Sequence, residues 1–232
     1  MSVEAPLRRT TAPASASGGA PRLRLSEMFV SLQGEAAQVG WPTVFVRLTG
    51  CPLRCRWCDT EYAFEGGETT DVDTVLQRVT GEGVRHVCVT GGEPLAQPGS
   101  RALITGLCDA GLAVTIETSG AMDVSDVDPR AGLVMDWKAP ASCESGRNRT
   151  ENLAYLGEGD QLKFVLANRA DFEWAREALP GMGLDPAVEV LFSPVHGELE
   201  PRLLADWIVA ERLPVRFQVQ LHKWLWGDEP GR

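Results

Sequence analysis

Thr43-Val44-Phe45-Val46-Arg47-Leu48-Thr49-Gly50-Cys51-Pro52-Leu53-Arg54-Cys55-Arg56-Trp57-Cys58-Asp59-Thr60 joins a β-branched and aromatic run to a loop with three thiols in a Cys-x3-Cys-x2-Cys array. Residues 43–48 read as a strand, because branched and aromatic side chains suit a pleated surface. The strand stops at Thr49-Gly50, where the cysteine loop begins. Three of the six cysteines lie in this loop. Crowded thiolates suit a zinc ion or an iron–sulfur cluster better than a packed core. A structural zinc site takes four protein ligands, whereas a four-iron cluster on three cysteines keeps one iron open for a small molecule. A zinc knuckle would need a fourth ligand such as Cys88 or His86. Both lie in an apolar run where a cysteine is an ordinary core residue.

Outward from that stretch the pattern repeats. Val84 to Val89 is an apolar run that enters Thr90-Gly91-Gly92-Glu93-Pro94, and Leu112 to Ile116 enters Glu117-Thr118-Ser119-Gly120. Leu133 to Asp136 leads into Trp137-Lys138, and Leu162-Lys163-Phe164-Val165-Leu166 is a further strand. Val188 to Phe192 runs into Ser193-Pro194, and Val215 to Val219 into Gln220-Leu221-His222-Lys223. Arg24 to Ser31 alternates loosely and suits an edge strand. Helical spacing occupies residues 71–81, 100–110, 170–179 and 202–212, with Thr70 or Asp71 placed to cap the first. Strands alternating with helices predict a parallel sheet with right-handed crossovers. In a β/α barrel the polar C-terminal strand ends converge on one pocket. The link from Gly120 to Leu133 is too short for a full helix, so the expected fold is α/β, a partial (β/α) barrel with an open side.

A chain of 232 residues can bury a full core as one domain, which we assign to residues 23–232. Residues 1–22 are rich in Ala, Pro, Ser and Gly and read as a disordered tail. A formal charge of −10 argues against a nucleic-acid groove or an anionic membrane surface. No apolar run reaches the roughly 20 residues of a transmembrane helix. The N-terminus lacks the apolar centre of a secretory signal. The expectation is a cytoplasmic protein, and clustered cysteines in a reducing compartment are metal or redox groups rather than disulfides.

The Cys-x3-Cys-x2-Cys array with aromatic Trp57 before its last cysteine resembles the radical S-adenosylmethionine superfamily. Thr90-Gly91-Gly92-Glu93-Pro94 resembles that superfamily's second motif, which holds the methionyl amino group. The residues support this independently: two glycines after a strand let a ligand approach the main chain, and a carboxylate there can pair with an ammonium. An ordinary strand-to-helix turn would also explain the glycines. Gln33-Gly34-Glu35, Phe45-Val46-Arg47-Leu48, Cys58-Asp59-Thr60, Glu117-Thr118-Ser119-Gly120, Asp136-Trp137-Lys138, Lys163-Phe164-Val165 and Gln220-Leu221-His222-Lys223 narrow the resemblance to the 7-carboxy-7-deazaguanine synthase family. What this implies is a radical S-adenosylmethionine fold and lyase activity. The lyase would convert 6-carboxy-5,6,7,8-tetrahydropterin to 7-carboxy-7-deazaguanine with loss of ammonia, a step toward queuosine and other 7-deazapurines. It also implies a [4Fe-4S] cluster on Cys51, Cys55 and Cys58, S-adenosylmethionine, Mg2+ at Thr60, a homodimer, and an external one-electron donor of flavodoxin or ferredoxin type.

A bicyclic substrate with a carboxylate and a guanine-like edge needs a fixed cation and acceptors for its ring N–H groups. Arg47 suits the first task, Gln33 and Glu35 the second, and Thr90 and His222 complete the expected substrate set. Without the resemblance, Arg47 reads equally as an ion-pair partner, Glu35 as a solvated turn residue and Thr60 as a turn residue. Trp57, Gly92, Glu93, Glu117, Thr118, Ser119, Lys138, Lys163 and Ser193 are the expected S-adenosylmethionine contacts. Lys163 lies within a strand pattern and needs a partner if it points inward. Two features depart from the family pattern: the position after Gln33-Gly34-Glu35 is Ala36 rather than glycine, and the chain continues past His222-Lys223 through Trp224, Trp226 and Gly227. Rival readings are an activase that makes a glycyl radical on a protein partner and, from another class, a zinc-binding interaction module.

Overall fold

A computed structural model describes residues 7–11, 21–227, 229 and 231–232. Nine strands form one sheet in the order β3-β1-β2-β4-β5-β6-β7-β8-β9. Their ranges are β1 Arg22–Leu32, β2 Pro42–Leu48, β3 Glu68–Asp71, β4 His86–Gly91, β5 Ala113–Thr118, β6 Gly132–Asp136, β7 Gln161–Leu166, β8 Glu189–Pro194 and β9 Arg216–Phe217. From β2 through β9 every pairing is parallel. β1 runs antiparallel between β2 and β3. The sheet curls without closing, as the short Gly120–Leu133 link predicts.

Four helices cover the outer face: α1 Val72–Gly81, α2 Gly99–Asp109, α3 Arg169–Ala178 and α4 Pro201–Glu211. Asp71 caps α1, its side chain accepting the Thr74 amide at 2.7 Å, and Asn168 caps α3 through Asp171. The apolar stripe of each helix packs on fully buried strand residues such as Val44, Val87, Ile116, Leu133, Leu162 and Phe192. Phe164, Phe172, Phe192 and Trp207 interlock edge to face or tilted beneath α3 and α4.

Two expectations change. The strand 24–31 is not at the edge, because the unpredicted strand β3 lies outside it. The last strand shrinks to Arg216–Phe217, and His222 instead lies on a short helix, α5 Leu221–Trp226, with the Leu221 amide bonded to Gly34 O at 2.9 Å. Most of the expected tail, residues 1–6 and 12–20, lies outside the described residues. Residues 7–11 are described, and they pack against the body rather than trail from it. Arg9 is 9% exposed and donates to Ala131 O at 3.0 Å and to both Asp160 carboxylate oxygens at 3.0 and 3.2 Å. Leu7 N bonds Ala154 O, and Thr10 N bonds Ser125 O. These partners lie in the β5–β6 and β6–β7 links, neither of which carries an α-helix. A strongly polar arm is held there because the links leave carbonyls and a carboxylate without helical cover.

Ala36 adopts φ +63°, a left-handed conformation that disfavours a Cβ. Gln218 holds it: its Oε1 accepts the Ala36 amide at 2.7 Å and its Nε2 donates to Ala36 O at 3.0 Å. This explains how the turn keeps its shape with alanine in place of glycine.

Candidate active site

The C-terminal ends of β2, β4, β5, β6 and β7 open into one cavity of about 480 Å³. Cys51, Cys55 and Cys58 line one wall as free, partly exposed thiols. Their loop is tied to its surroundings by backbone: Gly50 N to Ala63 O, Glu93 N to Gly50 O, Arg56 N to Ser142 O and Cys58 N to Cys55 O, between 2.8 and 3.1 Å. Glycine is required beside it. A Cβ on Gly92 would stand 2.5 Å from Gly50 O and 2.6 Å from Cys51 Cβ, and one on Gly91 would stand 2.2 Å from Leu48 O. Trp57 lines the cavity under the Arg56 guanidinium, 5.1 Å from its ring centre. Thr60 lies next to the last cysteine, its hydroxyl 3.7 Å from Cys58 Sγ.

Three unpaired thiols facing one cavity fit a cluster with a separate iron for each cysteine. A zinc knuckle would need its ligands gathered at about 2.3 Å around one ion. Among the described residues no three His, Cys, Asp or Glu side chains are so placed. Cys88 is fully buried in β4, as a core residue should be. Burial raises the Cys51 and Cys55 thiols above the ordinary range, and the Lys138 ammonium opposes that rise at both.

The cavity floor is a chain of buried and half-buried polar groups. Glu35 Oε2 accepts Lys163 Nζ at 2.7 Å, and its Oε1 accepts Gln220 Nε2 at 3.0 Å. Lys163 Nζ also lies 3.1 Å from Asp136 Oδ1, whose Oδ2 accepts Lys138 Nζ at 2.8 Å. Glu117 accepts Gln33 Nε2 at 3.2 Å and Thr90 Oγ1 at 3.1 Å. Burial pushes the Glu35 and Asp136 carboxyls up, but the adjacent lysines outweigh it and hold both below the usual carboxylate range. Burial also dominates at Glu117, whose carboxyl stays raised because the attraction of Lys163 is offset by Glu35 and Asp136. Lys163 goes well up: burial disfavours its charge, yet Asp136, Glu35 and Glu117 surround it.

Residues 45–131 match the family model described as the Radical SAM superfamily. The chain is similar to a 7-carboxy-7-deazaguanine synthase of Chlorobaculum tepidum, 44% identical over 210 residues, covering 89% of this chain and 96% of that protein. A synthase of the same name from Koribacter versatilis is 40% identical over 226 residues, covering 89% and 98%. The crystal structure of QueE from Escherichia coli superimposes with a TM-score of 0.69 at 26% identity, over 87% of this chain and 95% of that one.

The chain belongs to the 7-carboxy-7-deazaguanine synthase family. The partial barrel is that family's radical S-adenosylmethionine fold, and the activase and zinc-module readings fall with this membership.

Within this synthase-family cavity the structure gathers Gln33, Glu35, Arg47, Thr90 and His222 with Trp57, Gly92, Glu117, Thr118, Ser119, Lys138, Lys163 and Thr60. Glu93 and Ser193 are fully buried and do not line it. The Glu93 carboxylate is occupied from within: it accepts the Leu95 amide at 2.9 Å, Thr118 Oγ1 at 2.9 and 3.0 Å, the Ser119 amide at 2.7 Å and the Ser119 hydroxyl. Arg47 both lines the cavity and forms the ion pair that its sequence context allowed, with Nε 2.6 Å from Glu27 Oε1. Tyr62 donates to the same oxygen, and burial lifts its phenol to about 12 despite Arg47. Gly34 is explained by His222, whose Nδ1 would lie 2.2 Å from a Cβ there. Sequence reasoning missed Asp136, Glu27 and Gln220 as site residues. Asp136 had a signal, an acid at a strand end two residues before Lys138.

Proposed function

We propose that this chain converts 6-carboxy-5,6,7,8-tetrahydropterin to 7-carboxy-7-deazaguanine with release of ammonia, as a radical S-adenosylmethionine lyase in 7-deazapurine and queuosine biosynthesis. The supporting observation is the meeting, in one cavity, of three free thiols with a buried and half-buried set of carboxylates, amides and cations at the strand ends. Cys51, Cys55 and Cys58 would hold the [4Fe-4S] cluster, which with S-adenosylmethionine supplies the radical chemistry. Gly91 and Gly92 leave main chain open for the methionyl group, and Lys138 supplies a cation beside the cluster loop. Arg47 anchors the substrate carboxylate through its terminal amino groups, since its Nε is on Glu27. Glu35, ionised and held by Lys163 and Gln220, accepts the ring N–H groups. His222 closes the cavity at Gly34.

Mg2+ belongs to the same reading, at the Thr60 hydroxyl, with substrate oxygens and water completing its octahedron. So do an external flavodoxin or ferredoxin, a cytoplasmic location suited to open thiols, and a homodimer. Exposed Trp224 and Leu225 on α5 support the last. No helix among the described residues is long and apolar enough to cross a membrane.

The test is anaerobic reconstitution. The protein should take up about four irons and form the deazaguanine and ammonia from the carboxytetrahydropterin. Reductive cleavage of S-adenosylmethionine without turnover of that pterin overturns the substrate assignment.

A further inference from the structure

Of the lysines that line the cavity, Lys138 and Lys163 are separated by Asp136. Its Oδ2 takes Lys138 and its Oδ1 faces Lys163, so the carboxylate stands between the two ammonium groups. Lys138 looks toward the cluster wall, where it acts electrostatically on Cys51 and Cys55. Lys163 looks the other way. Two of its three donors are spent on Glu35 and Asp136, its side chain is 9% exposed, and its field reaches Glu117. The groups on that side are those that hold Gln33, Thr90 and Gln220.

We propose that Lys163 is a positioning residue for the pterin, acting through Glu35, rather than a contact of S-adenosylmethionine. This rests on the proposed function and names how that site reads its substrate. Lys163 and Gln220 each take one Glu35 oxygen, which fixes the plane of the carboxylate. Each oxygen keeps a second acceptor direction, and a pair of parallel acceptors matches the adjacent ring N–H and amino N–H of an aminopyrimidinone edge. The match requires the ionised form, because a protonated Glu35 would turn a donor toward a donor. Lys163 is what keeps it ionised in a site where burial alone would protonate it. Among the described residues, Lys163 from β7, Asp136 from β6 and Glu117 from β5 act on Glu35, and His222 and Lys223 from α5 line the same cavity. Arg47 from β2 acts one step further out, on Glu117.

The experiment uses reconstituted full-length protein with S-adenosylmethionine and the carboxytetrahydropterin. Wild-type turnover of the pterin checks the underlying function, and only then are variants compared. Lys163→Met should raise the pterin KM by about tenfold while the Kd of S-adenosylmethionine stays within about twofold. The pH profile carries the distinction. In wild type KM stays flat from neutral to mildly acid pH, whereas in Lys163→Met it climbs as pH falls, because Glu35 now takes up a proton. Lys163→Arg keeps the charge and should restore the flat profile. Should Lys163→Met fail to fold, Glu35→Gln/Lys163→Met removes both charges together. That double variant should fold, bind S-adenosylmethionine normally and show weak, pH-independent pterin binding. Loss of S-adenosylmethionine affinity in either variant with the pterin KM unchanged, or a flat profile in Lys163→Met, overturns the proposal.

Discussion

Glu93 and Ser119 are joined twice, by the Ser119 amide and by its hydroxyl, so that one buried carboxylate locks the Gly91-Gly92 turn to the end of β5. The turn that must admit a ligand is therefore not loose. Its shape is set by a buried acid whose carboxylate already accepts hydrogen bonds from Leu95, Thr118 and Ser119.

Replacing Glu93 by Gln should be costly. It converts an acceptor into a group that turns an N–H toward Thr118 or Ser119 inside the fold. We expect a loss of about 2–3 kcal/mol for a buried polar mismatch. Chemical denaturation measures it, and S-adenosylmethionine affinity should fall in parallel because the turn relaxes. An unchanged midpoint would show that the carboxylate is replaceable.

Gly92→Ala tests the clearance beside the cluster loop. The new methyl has no room against Gly50 O and Cys51 Cβ, both backbone or first-carbon atoms that cannot swing away. The loop must shift, and iron uptake on reconstitution should drop well below wild type while the far-UV circular dichroism stays native.

Asp136 links stability to pH. Its folded pKa lies below the ordinary value, so the ionised acid contributes stability that is present above the unfolded Asp range. That contribution is lost as pH falls through the folded value. Asp136→Asn leaves Lys138 and Lys163 facing each other without their shared counter-ion. The variant should be less stable than wild type at neutral pH, and thermal melts should show the gap closing as pH is lowered into the acid range.

Arg9→Ala removes the cation from the buried pair with Asp160. Breaking such a pair leaves a buried carboxylate without its partner, and we expect about 3 kcal/mol of destabilisation. Hydrogen exchange should quicken in residues 119–131 and 150–160, the two links that Arg9 and its neighbours cover. No change in either measurement would mean that the arm merely rests on the surface.

Much of the architecture is legible in local sequence. Branched runs such as 43–48 announce strands, Asp71 announces a helix start, and the crowded Cys51–Cys58 loop announces a metal group. The short Gly120–Leu133 link foretells an incomplete barrel. What is not legible depends on contacts between distant residues. Gln33 and Glu117 are 84 positions apart, Lys163 and Glu35 128, and Gln220 and Glu35 185. No local period encodes such pairs, so Lys163 is visible as a strand cation needing a partner while the partner stays hidden. The same holds for Arg9, whose surroundings in sequence look like linker. Residues 221–226 mislead for another reason: a short apolar run after a strand serves a helix or a strand alike, and packing against Gly34 decides.

The Arg9–Asp160 pair has a further consequence for how the protein is made. Arg9 leaves the ribosome 151 positions ahead of its partner. The arm must therefore wait, undocked, while β1 to β6 are synthesised, and it can seat only after residue 160 has emerged. Covering the links at the starts of β6 and β7 is then a late event in biogenesis. A nascent chain stalled before that point would expose the starts of β6 and β7, which makes the interval before arm docking the time of greatest risk of misassembly.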